Sequence, residues 1–215
     1  MIKIQLIGSS PCSSYYVGND QEGYLVDCPV IGDLDSFLTF NDIKLLGVIL
    51  THCHADHLTN IHEIKEKYNI PVIAHKEDKI LAMSVPIQYQ FIYGSHGPEM
   101  STKPLNIDQY VDDGDILTVG NDRIEIHHCP GHSPGSIMLH IPSCNSLMSG
   151  DLIFEDSIGR TDFPLSSKED FIKSINEKVL PLDDDIKVYS GHDFYYFLLA
   201  NWKQWWESKG RFYMQ

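Results

Sequence analysis

The run Thr51-His52-Cys53-His54-Ala55-Asp56-His57 places three histidines and one aspartate within six residues, directly after the apolar segment 46–50. A short apolar run predicts a buried β-strand, and a helical pattern begins near Leu58. In an extended segment alternate side chains point to one side, so His52 and His54 can converge on one metal ion. The last two residues of the run lie at the turn into the helix and can face a neighbouring ion. Imidazole and carboxylate groups suit zinc, iron or manganese, so the run predicts a metal site. The alternative interpretation is a polar loop that is merely rich in histidine.

Ten short segments have the alternating or continuous apolar pattern that predicts β-strands. They lie at residues 2–7, 14–18, 23–27, 46–51, 71–75, 115–119, 123–128, 135–141, 145–149 and 186–190. Helical spacing covers residues 58–68 and about 194–208, and the capping-box pair Ser166 and Glu169 predicts a third helix. The least patterned segment, 84–110, predicts a long surface loop. Strand-rich halves with helices between them predict an α/β sandwich, in which outer helices cover two facing sheets.

Composition narrows the class of protein. The 215 residues are 42% hydrophobic, which is enough for the core of one domain spanning residues 1–215. With 30 acidic and 16 basic residues the net charge is -14, so we expect neither nucleic acid nor a membrane surface as a partner. The longest apolar stretch, 194–200, is far shorter than the roughly 20 residues that cross a bilayer. Five cysteines without a CxxC pair, and an N-terminus without a signal-peptide pattern, predict a cytoplasmic location.

Three further residues of metal-ligand type follow predicted strands. His132 lies in the loop Cys129-Pro130-Gly131-His132-Ser133-Pro134-Gly135, Asp151 follows segment 145–149, and His192 follows segment 186–190. Each is a weak signal alone, because a lone aspartate in a loop usually forms a turn and a lone histidine usually lies at the surface or in a satisfied core. Together with the first run they form a repeated pattern of a ligand-type residue after a strand.

This pattern resembles the metallo-β-lactamase superfamily, whose His-x-His-x-Asp-His signature stands at residues 52–57. The motif Gly150-Asp151-Leu152-Ile153-Phe154, followed by Ser157-Ile158-Gly159-Arg160-Thr161-Asp162-Phe163-Pro164, is similar to the short type II glyoxalase-like branch, that of hydroxyacylglutathione hydrolases. The resemblance implies a four-layer αββα sandwich of two facing mixed sheets, with the site at the mouth between them. We expect no separate C-terminal helical domain of the kind that helps full-length type II glyoxalases hold glutathione, since only 23 residues follow His192.

The resemblance also implies a binuclear metal centre. One ion is expected on His52, His54 and His132, the other on Asp56, His57 and His192, and Asp151 is expected to bridge them. Zinc is the expected metal, with iron or manganese as alternatives. A metal-bound hydroxide then serves as nucleophile, because metal binding lowers the pKa of water from about 15.7 toward 7. The implied activity is metal-dependent hydrolysis of a small thioester such as a hydroxyacylglutathione, with Asp56, Asp151 and Arg160 as catalytic residues.

Two side chains near these motifs have alternative interpretations. Arg160 can orient a substrate carboxylate through its planar guanidinium, or form an ion pair with Asp162. Cys53 is expected to point away from the neighbouring histidines and pack in the core rather than bind metal. The aromatic segment 194–206 is expected to cover a sheet rather than line a substrate pocket or an oligomer interface.

The activity of the whole protein has competing interpretations as well. The ending Gly191-His192-Asp193-Phe194 is more similar to the persulfide dioxygenase branch, in which His52, His132 and Asp151 would hold a single iron. A lactonase and a non-catalytic metal-binding protein are further alternatives for the function. The protein could also form a homo-oligomer, and the sequence does not decide its oligomeric state. The remaining histidines are interpreted as surface or core residues: His62, His75, His96, His127, His128 and His140.

Overall fold

A computed structural model describes residues 1–9, 12–28, 32–93, 103–193 and 195–210. Two six-stranded sheets are formed by these residues. The first sheet has the spatial order β1 (Lys3–Gly8), β2 (Ser14–Gly18), β3 (Glu22–Val26), β4 (Lys44–Ile49), β5 (Val72–His75) and β6 (Gln109–Val111). The second has the order β14 (Phe197–Leu198), β13 (Lys187–Ser190), β10 (Ser146–Gly150), β9 (Ile137–Ile141), β8 (Asp122–His128) and β7 (Ile116–Val119).

Helices and one small hairpin complete the described elements. The hairpin pairs β11 (Ile153–Phe154) with β12 (Ser157–Ile158). The helices are α1 (Gly32–Asn41), α2 (Ile61–Tyr68), α3 (Lys79–Met83), α4 (Val85–Tyr93), α5 (Lys168–Ser174), which continues into a π-helical turn (Ile175–Val179), and α6 (Leu199–Ser208). In the described part of the chain, no helix has both the length and the apolar character that spanning a bilayer requires.

Both sheets are mixed. Strands β3, β4, β5 and β6 run parallel, with Val26 opposite Ile49, whereas β1, β2 and β3 are antiparallel. In the second sheet β10 is parallel to β13, with Leu147 opposite Val188, and its other pairs are antiparallel. Because parallel strands end at the same edge of a sheet, the loops that follow them meet there.

Three apolar layers hold the sheets and helices together. Along β4, Val48 packs against the helices of the first half while Ile49 faces the second sheet. Along β10, Leu147 packs under α5 and α6 while Met148 faces the first sheet. Successive strand residues point to opposite faces, so each buried strand contributes to two layers. The resulting order of helix, sheet, sheet and helix confirms the predicted αββα sandwich.

The prediction of a long loop over residues 84–110 is wrong in part. Residues 85–93 form α4 and residues 109–111 form β6, while residues 94–102 lie outside the described residues. Pro86 lies in the first turn of α4, where a missing N–H costs nothing, so this proline does not break the helix. Ile87 and Phe91 are exposed, and the helix therefore lacks the buried apolar period that sequence patterns detect.

Three helix boundaries also differ from the sequence prediction. A 3-10 turn occupies Ala55–Leu58, and α2 begins only at Ile61. Residues 197–198 pair as strand β14 before α6 begins, and Phe194 lies outside the described residues. The cap of α5 is Ser167, whose hydroxyl accepts a hydrogen bond from the Asp170 amide. The hydroxyl of Ser166 donates instead to the carbonyl of His132.

The aromatic α6 packs against the second sheet, as the sequence predicts. Trp202 and Trp206 are buried in the layer that contains Leu147 and Val188. The Trp202 indole also donates a hydrogen bond to the carbonyl of Ser157 in β12, at 3.1 Å. One side chain therefore connects the C-terminal helix to the hairpin beside the ligand-bearing loops.

Replacing this anchor should destabilise the protein. We expect Trp202→Ala to lower the free energy of unfolding by about 3–5 kcal/mol, because it leaves a large cavity. Gln204→Ala, on the exposed side of α6, should change it by less than about 0.5 kcal/mol. Urea denaturation followed by circular dichroism measures both variants, and equal losses would show that α6 does not depend on this contact.

Candidate metal centre

Seven side chains meet at the edge of the sandwich where strands of both sheets end. They are His52, His54, Asp56 and His57 after β4, His132 after β8, Asp151 after β10, and His192 after β13. All seven candidate ligands from the sequence are thus brought together. A pocket of about 420 Å³ is lined by five of them and also by Phe154, Phe163 and Arg160. The five are His54, Asp56, His132, Asp151 and His192.

His52, His54 and His132 form the first group. The Nε2 atom of His132 lies 3.2 Å from Nε2 of His52 and 2.9 Å from Nδ1 of His54. Zinc bound tetrahedrally at about 2.0–2.1 Å separates neighbouring ligand nitrogens by roughly 3.3 Å. The spacing of the three nitrogens therefore fits a single cation held between them.

Asp56, His57 and His192 form the second group. The Asp56 Oδ2 atom lies 3.4 Å from Nε2 of His192 and 3.9 Å from Nε2 of His57. Asp151 lies between the groups: its Oδ2 is 3.2 Å from His192 Nε2 and 3.7 Å from His132 Nε2, and its Oδ1 is 3.4 Å from His57 Nε2. One carboxylate can therefore present an oxygen to each group.

Three atoms of this cluster are buried without a hydrogen-bond partner of good geometry among the described residues: His57 Nδ1, His57 Nε2 and Asp151 Oδ1. A buried polar atom without a partner costs about 1–3 kcal/mol. A cation held between the last two atoms would satisfy both, so the residues present fit a metal centre.

The charge balance of the cluster favours a cation as well. Burial lowers the pKa of His52 well below its usual value and that of His54 to about 3, so both rings are neutral. Burial also opposes protonation of His192, but its hydrogen bonds with Asp151 and Asp56 raise its pKa to about 9. The carboxylates therefore attract positive charge, which a divalent cation can supply in place of protons.

Two glycines permit this close assembly. A Cβ atom at Gly191 would stand 2.1 Å from Asp151 Oδ1 and 2.9 Å from His57 Cε1. Gly150 has a φ of +51°, and a Cβ atom there would stand 2.7 Å from Thr51 Oγ1. Only glycine fits both positions without displacing the cluster.

The family model of the metallo-beta-lactamase superfamily matches residues 7–192 of the chain. The chain belongs to the metallo-beta-lactamase superfamily. It is 29% identical over 187 residues to probable metallo-hydrolase YqgX of Bacillus subtilis (strain 168), covering 86% of this chain and 87% of the relative. It is 36% identical over 161 residues to hydroxyacylglutathione hydrolase GloC of Haemophilus influenzae, covering 72% of this chain and 71% of the relative.

A solved structure of the superfamily agrees in fold. The crystal structure of BLEG-1 B3 metallo-beta-lactamase superimposes with a TM-score of 0.80 at 29% identity, covering 94% of this chain and 95% of that one. The present chain is therefore a metallo-hydrolase of the metallo-beta-lactamase superfamily, with a His/Asp cluster that can bind metal.

Asp27 supports the metallo-beta-lactamase motif, and sequence reasoning missed it. Its carboxylate accepts hydrogen bonds from the amide and the hydroxyl of Thr51, each at 2.8 Å. The same carboxylate lies 3.0 Å from Nδ1 of His57, an ion-pair contact without good hydrogen-bond geometry, while Nε2 of that ring faces the second group. The available signal was an acidic residue at the end of the predicted strand 23–27, close to the pattern that the ligands themselves show.

Asp78 connects two ligand-bearing loops and was also missed. Its buried carboxylate accepts hydrogen bonds from the amides of Cys53 and Gly135 and from the hydroxyl of Ser133. The segment between His52 and His54 is thereby tied to the loop that carries His132. Nothing in the local sequence indicates this role, because the partners are 25, 55 and 57 residues away.

His132 is held from two further sides. Its Nδ1 atom lies 2.8 Å from the carbonyl oxygen of Arg160, to which it can donate, and this leaves Nε2 for the first group. The hydroxyl of Ser166 donates to the carbonyl of His132 at 2.7 Å. This second bond explains why Ser167 rather than Ser166 caps α5.

Arg160 adopts the ion pair that the sequence left open. Its Nε and Nη2 atoms donate to the two oxygens of Asp162 at 2.8 and 2.9 Å. The guanidinium carbon also lies 4.2 Å from the ring centroid of Phe163, and Arg160 lines the pocket. The ion pair therefore holds the guanidinium at the mouth.

The remaining candidates lie away from the cluster. Cys53 is buried in the apolar layer under the first sheet, which confirms its packing role. His127 and His140 form a group with Glu125 on the second sheet, where Glu125 lies 3.0 Å from His140 and 2.9 Å from Arg123. His96 lies outside the described residues.

Removing the charge of Asp27 should weaken metal binding. We expect Asp27→Asn to lower zinc affinity about 10–100-fold, since His57 loses the carboxylate beside its Nδ1 atom. The matched control is Asp42→Asn, because Asp42 is exposed and shares the left-handed backbone, with a φ of 51° against 55° for Asp27. Competition with a chromophoric chelator measures affinity, and circular dichroism checks the fold. Equal affinity in both variants would contradict the positioning role.

Proposed function

We propose that this protein is a metal-dependent thioester hydrolase that uses two divalent cations, zinc in the first place, with iron or manganese as alternatives. His52, His54 and His132 would hold one cation, Asp56, His57 and His192 the other, and Asp151 would bridge them. The observation that carries the proposal is the second group, whose buried His57 Nε2 has no good hydrogen-bond partner among the described residues. A single cation on the first group would leave that nitrogen unsatisfied.

The chain's own groups prepare this site for hydrolysis. When bound, the cations supply Lewis acidity and lower the pKa of a coordinated water molecule. Burial raises the pKa of Asp56 and Asp151, but His57 and His192 outweigh it and hold both pKa values below normal, so both carboxylates are ionised. Ionised carboxylates would hold the cations and could accept a hydrogen bond from a water molecule beside them.

The proposed substrate is a small thioester or ester. The pocket of about 420 Å³ lies within the range of small-molecule sites, roughly 300–1,000 Å³. The relative from Haemophilus influenzae is named a hydroxyacylglutathione hydrolase, which supports a glutathione thioester as the first candidate. Arg160, held at the mouth, is proposed to orient a substrate carboxylate.

We also propose the cellular compartment and the domain organisation in which this activity takes place. All five cysteines are free thiols, which agrees with work in the reducing cytoplasm as one domain over residues 1–215.

A persulfide dioxygenase with one iron is the second candidate. The observation in its favour is a possible face of two histidines and one carboxylate, with His132 Nε2 lying 3.2 Å from His52 Nε2 and 3.7 Å from Asp151 Oδ2. Purified protein would be analysed for metal and then given S-lactoylglutathione and, separately, glutathione persulfide with an oxygen electrode. Two zinc-like ions per chain with thioester loss support the hydrolase, whereas one iron with oxygen uptake would overturn it.

Removing the bridging carboxylate should affect both ions. We expect Asp151→Ala to abolish thioester hydrolysis and to lower the metal content from two ions per chain to at most one, because each ion loses a ligand. Asp183→Ala, an exposed residue outside the pocket, is the control. Metal analysis and turnover are measured on the same samples, and an Asp151 variant with full metal and full activity would show that the bridge is misassigned.

Charge removal at Arg160 should act on substrate binding. We expect Arg160→Gln to raise KM for S-lactoylglutathione about tenfold, the loss of one charge-assisted contact, with kcat little changed. KM for the neutral S-acetyl-N-acetylcysteamine should stay the same. Arg123→Gln is the control, since Arg123 also forms an exposed ion pair, with Glu125. A variant that changes both substrates alike would mean that Arg160 only stabilises the loop through Asp162.

A further inference from the structure

A second pocket, of about 140 Å³, opens beside the metal centre between α3, α4 and the turn at residues 163–165. Its walls are largely apolar and include Leu81, Ile87, Phe91 and Leu165. His54 and Phe163 line this pocket and the larger catalytic pocket alike. The two pockets therefore adjoin at these two side chains.

Large apolar side chains at the mouth of this pocket are exposed to solvent. Ile87 is 72% exposed, Phe91 66% and Leu165 51%, and they lie around one opening. Isolated apolar side chains are common on surfaces, but a cluster at a pocket is typical of a binding site. Exposing these three side chains to water is unfavourable. An apolar ligand that covers them would be stabilised by the apolar surface area that it removes from water.

The backbone at the mouth is strained. Leu165 has a φ of +70°, a left-handed conformation that a leucine rarely adopts. Its turn is fixed by the hydrogen bond from the Ser166 amide to the Phe163 carbonyl and by the bond from the Ser166 hydroxyl to His132. Strained residues held by their surroundings cluster at ligand sites, and here the strain presents a leucine to the pocket.

Gln88 makes the opposite wall rigid. Its side-chain amide donates to the carbonyl of Cys53, between two candidate ligands, at 3.0 Å and to the carbonyl of Leu81 at 2.7 Å. Helix α4 is thereby attached to the ligand-bearing segment, and the pocket keeps a defined position relative to the metal centre. A preformed wall of this kind lowers the entropic cost of binding.

We propose that this pocket binds the acyl group of the substrate, an apolar group of about the size of a phenyl ring or a short branched chain. An apolar cavity of about 150 Å³ is known to accept benzene, which sets the size. The larger pocket contains Arg160 and several carboxylates and suits the polar thiol part, which leaves the apolar pocket for the acyl part. The assignment of the acyl group rests on the hydrolase proposed above.

The test compares two thioesters of one thiol on the zinc-loaded full-length chain. We expect kcat/KM for S-phenylacetyl-N-acetylcysteamine to exceed that for the S-acetyl compound at least about tenfold, from burial of the ring. Ile87→Ser and Phe91→Ser should bring this ratio close to one, because each removes apolar surface from the pocket. Ile116→Ser and Phe40→Ser remove similarly exposed side chains far from the pocket and should keep the ratio.

Leu165→Gly separates binding from folding. Glycine adopts a positive φ without strain, so this variant should keep its Tm while the preference for the phenylacetyl compound falls. A preference that survives in Leu165→Gly and in both helix variants would overturn the proposal. So would a concentration-dependent dimer in analytical ultracentrifugation that Phe91→Ser abolishes without changing the preference, because the patch would then be covered by a second copy.

The experiments distinguish a wrong assignment of the acyl pocket from a wrong assignment of the hydrolase activity. Hydrolysis of both thioesters at equal kcat/KM would overturn the acyl pocket and leave the hydrolase in place. If neither thioester is hydrolysed, the hydrolase proposal fails, and saturation-transfer NMR with phenylacetate then tests the pocket alone. Binding of phenylacetate that Ile87→Ser removes would support an apolar ligand site, and equal signals in both proteins would overturn it.

Discussion

Asp151 places a negative charge at the buried edge where the two sheets meet, and the surrounding structure compensates that charge. Burial alone would raise the pKa of this carboxyl group, but His57 and His192 hold it well below its usual value. Isolated buried charges are too costly to persist, so the carboxylate has to be paired or bound to a cation. The histidines of both groups lie within reach of it, and this arrangement makes a metal centre the natural use of the site.

Two further carboxylates turn seven flexible side chains into a defined cluster. Asp27 fixes the start of the ligand run and contacts His57, and Asp78 ties the same run to the loop of His132. Their partners are largely backbone amides and hydroxyl groups, which sit on buried strands and tight loops. Ligand groups need such support, because a shift of about 1 Å is enough to weaken a metal or catalytic site.

The turn at residues 163–166 serves both the metal centre and the neighbouring apolar pocket. Ser166 holds the backbone of His132, while Phe163 and Leu165 form one wall of the second pocket. Metal ligation and the shape of the pocket therefore depend on the same short segment. Substitution of Ser166 is expected to affect both properties, whereas changes to Ile87 and Phe91 on α4 reach only the pocket.

The sequence by itself indicated the sandwich class and the seven candidate ligands, because strand periodicity, the dense run at residues 52–57 and ligand-type residues after predicted strands are local signals. It also indicated that Cys53 and α6 are packing elements. It failed at α4, whose apolar side chains Ile87 and Phe91 are exposed and form no buried stripe, and it left two interactions of Arg160 equally open. The roles of Asp27 and Asp78, the strained turn at Leu165 and the apolar pocket were decided only by the tertiary structure. The physical reason is that they depend on contacts between residues distant in the chain, and strand pairing and layer packing set those contacts.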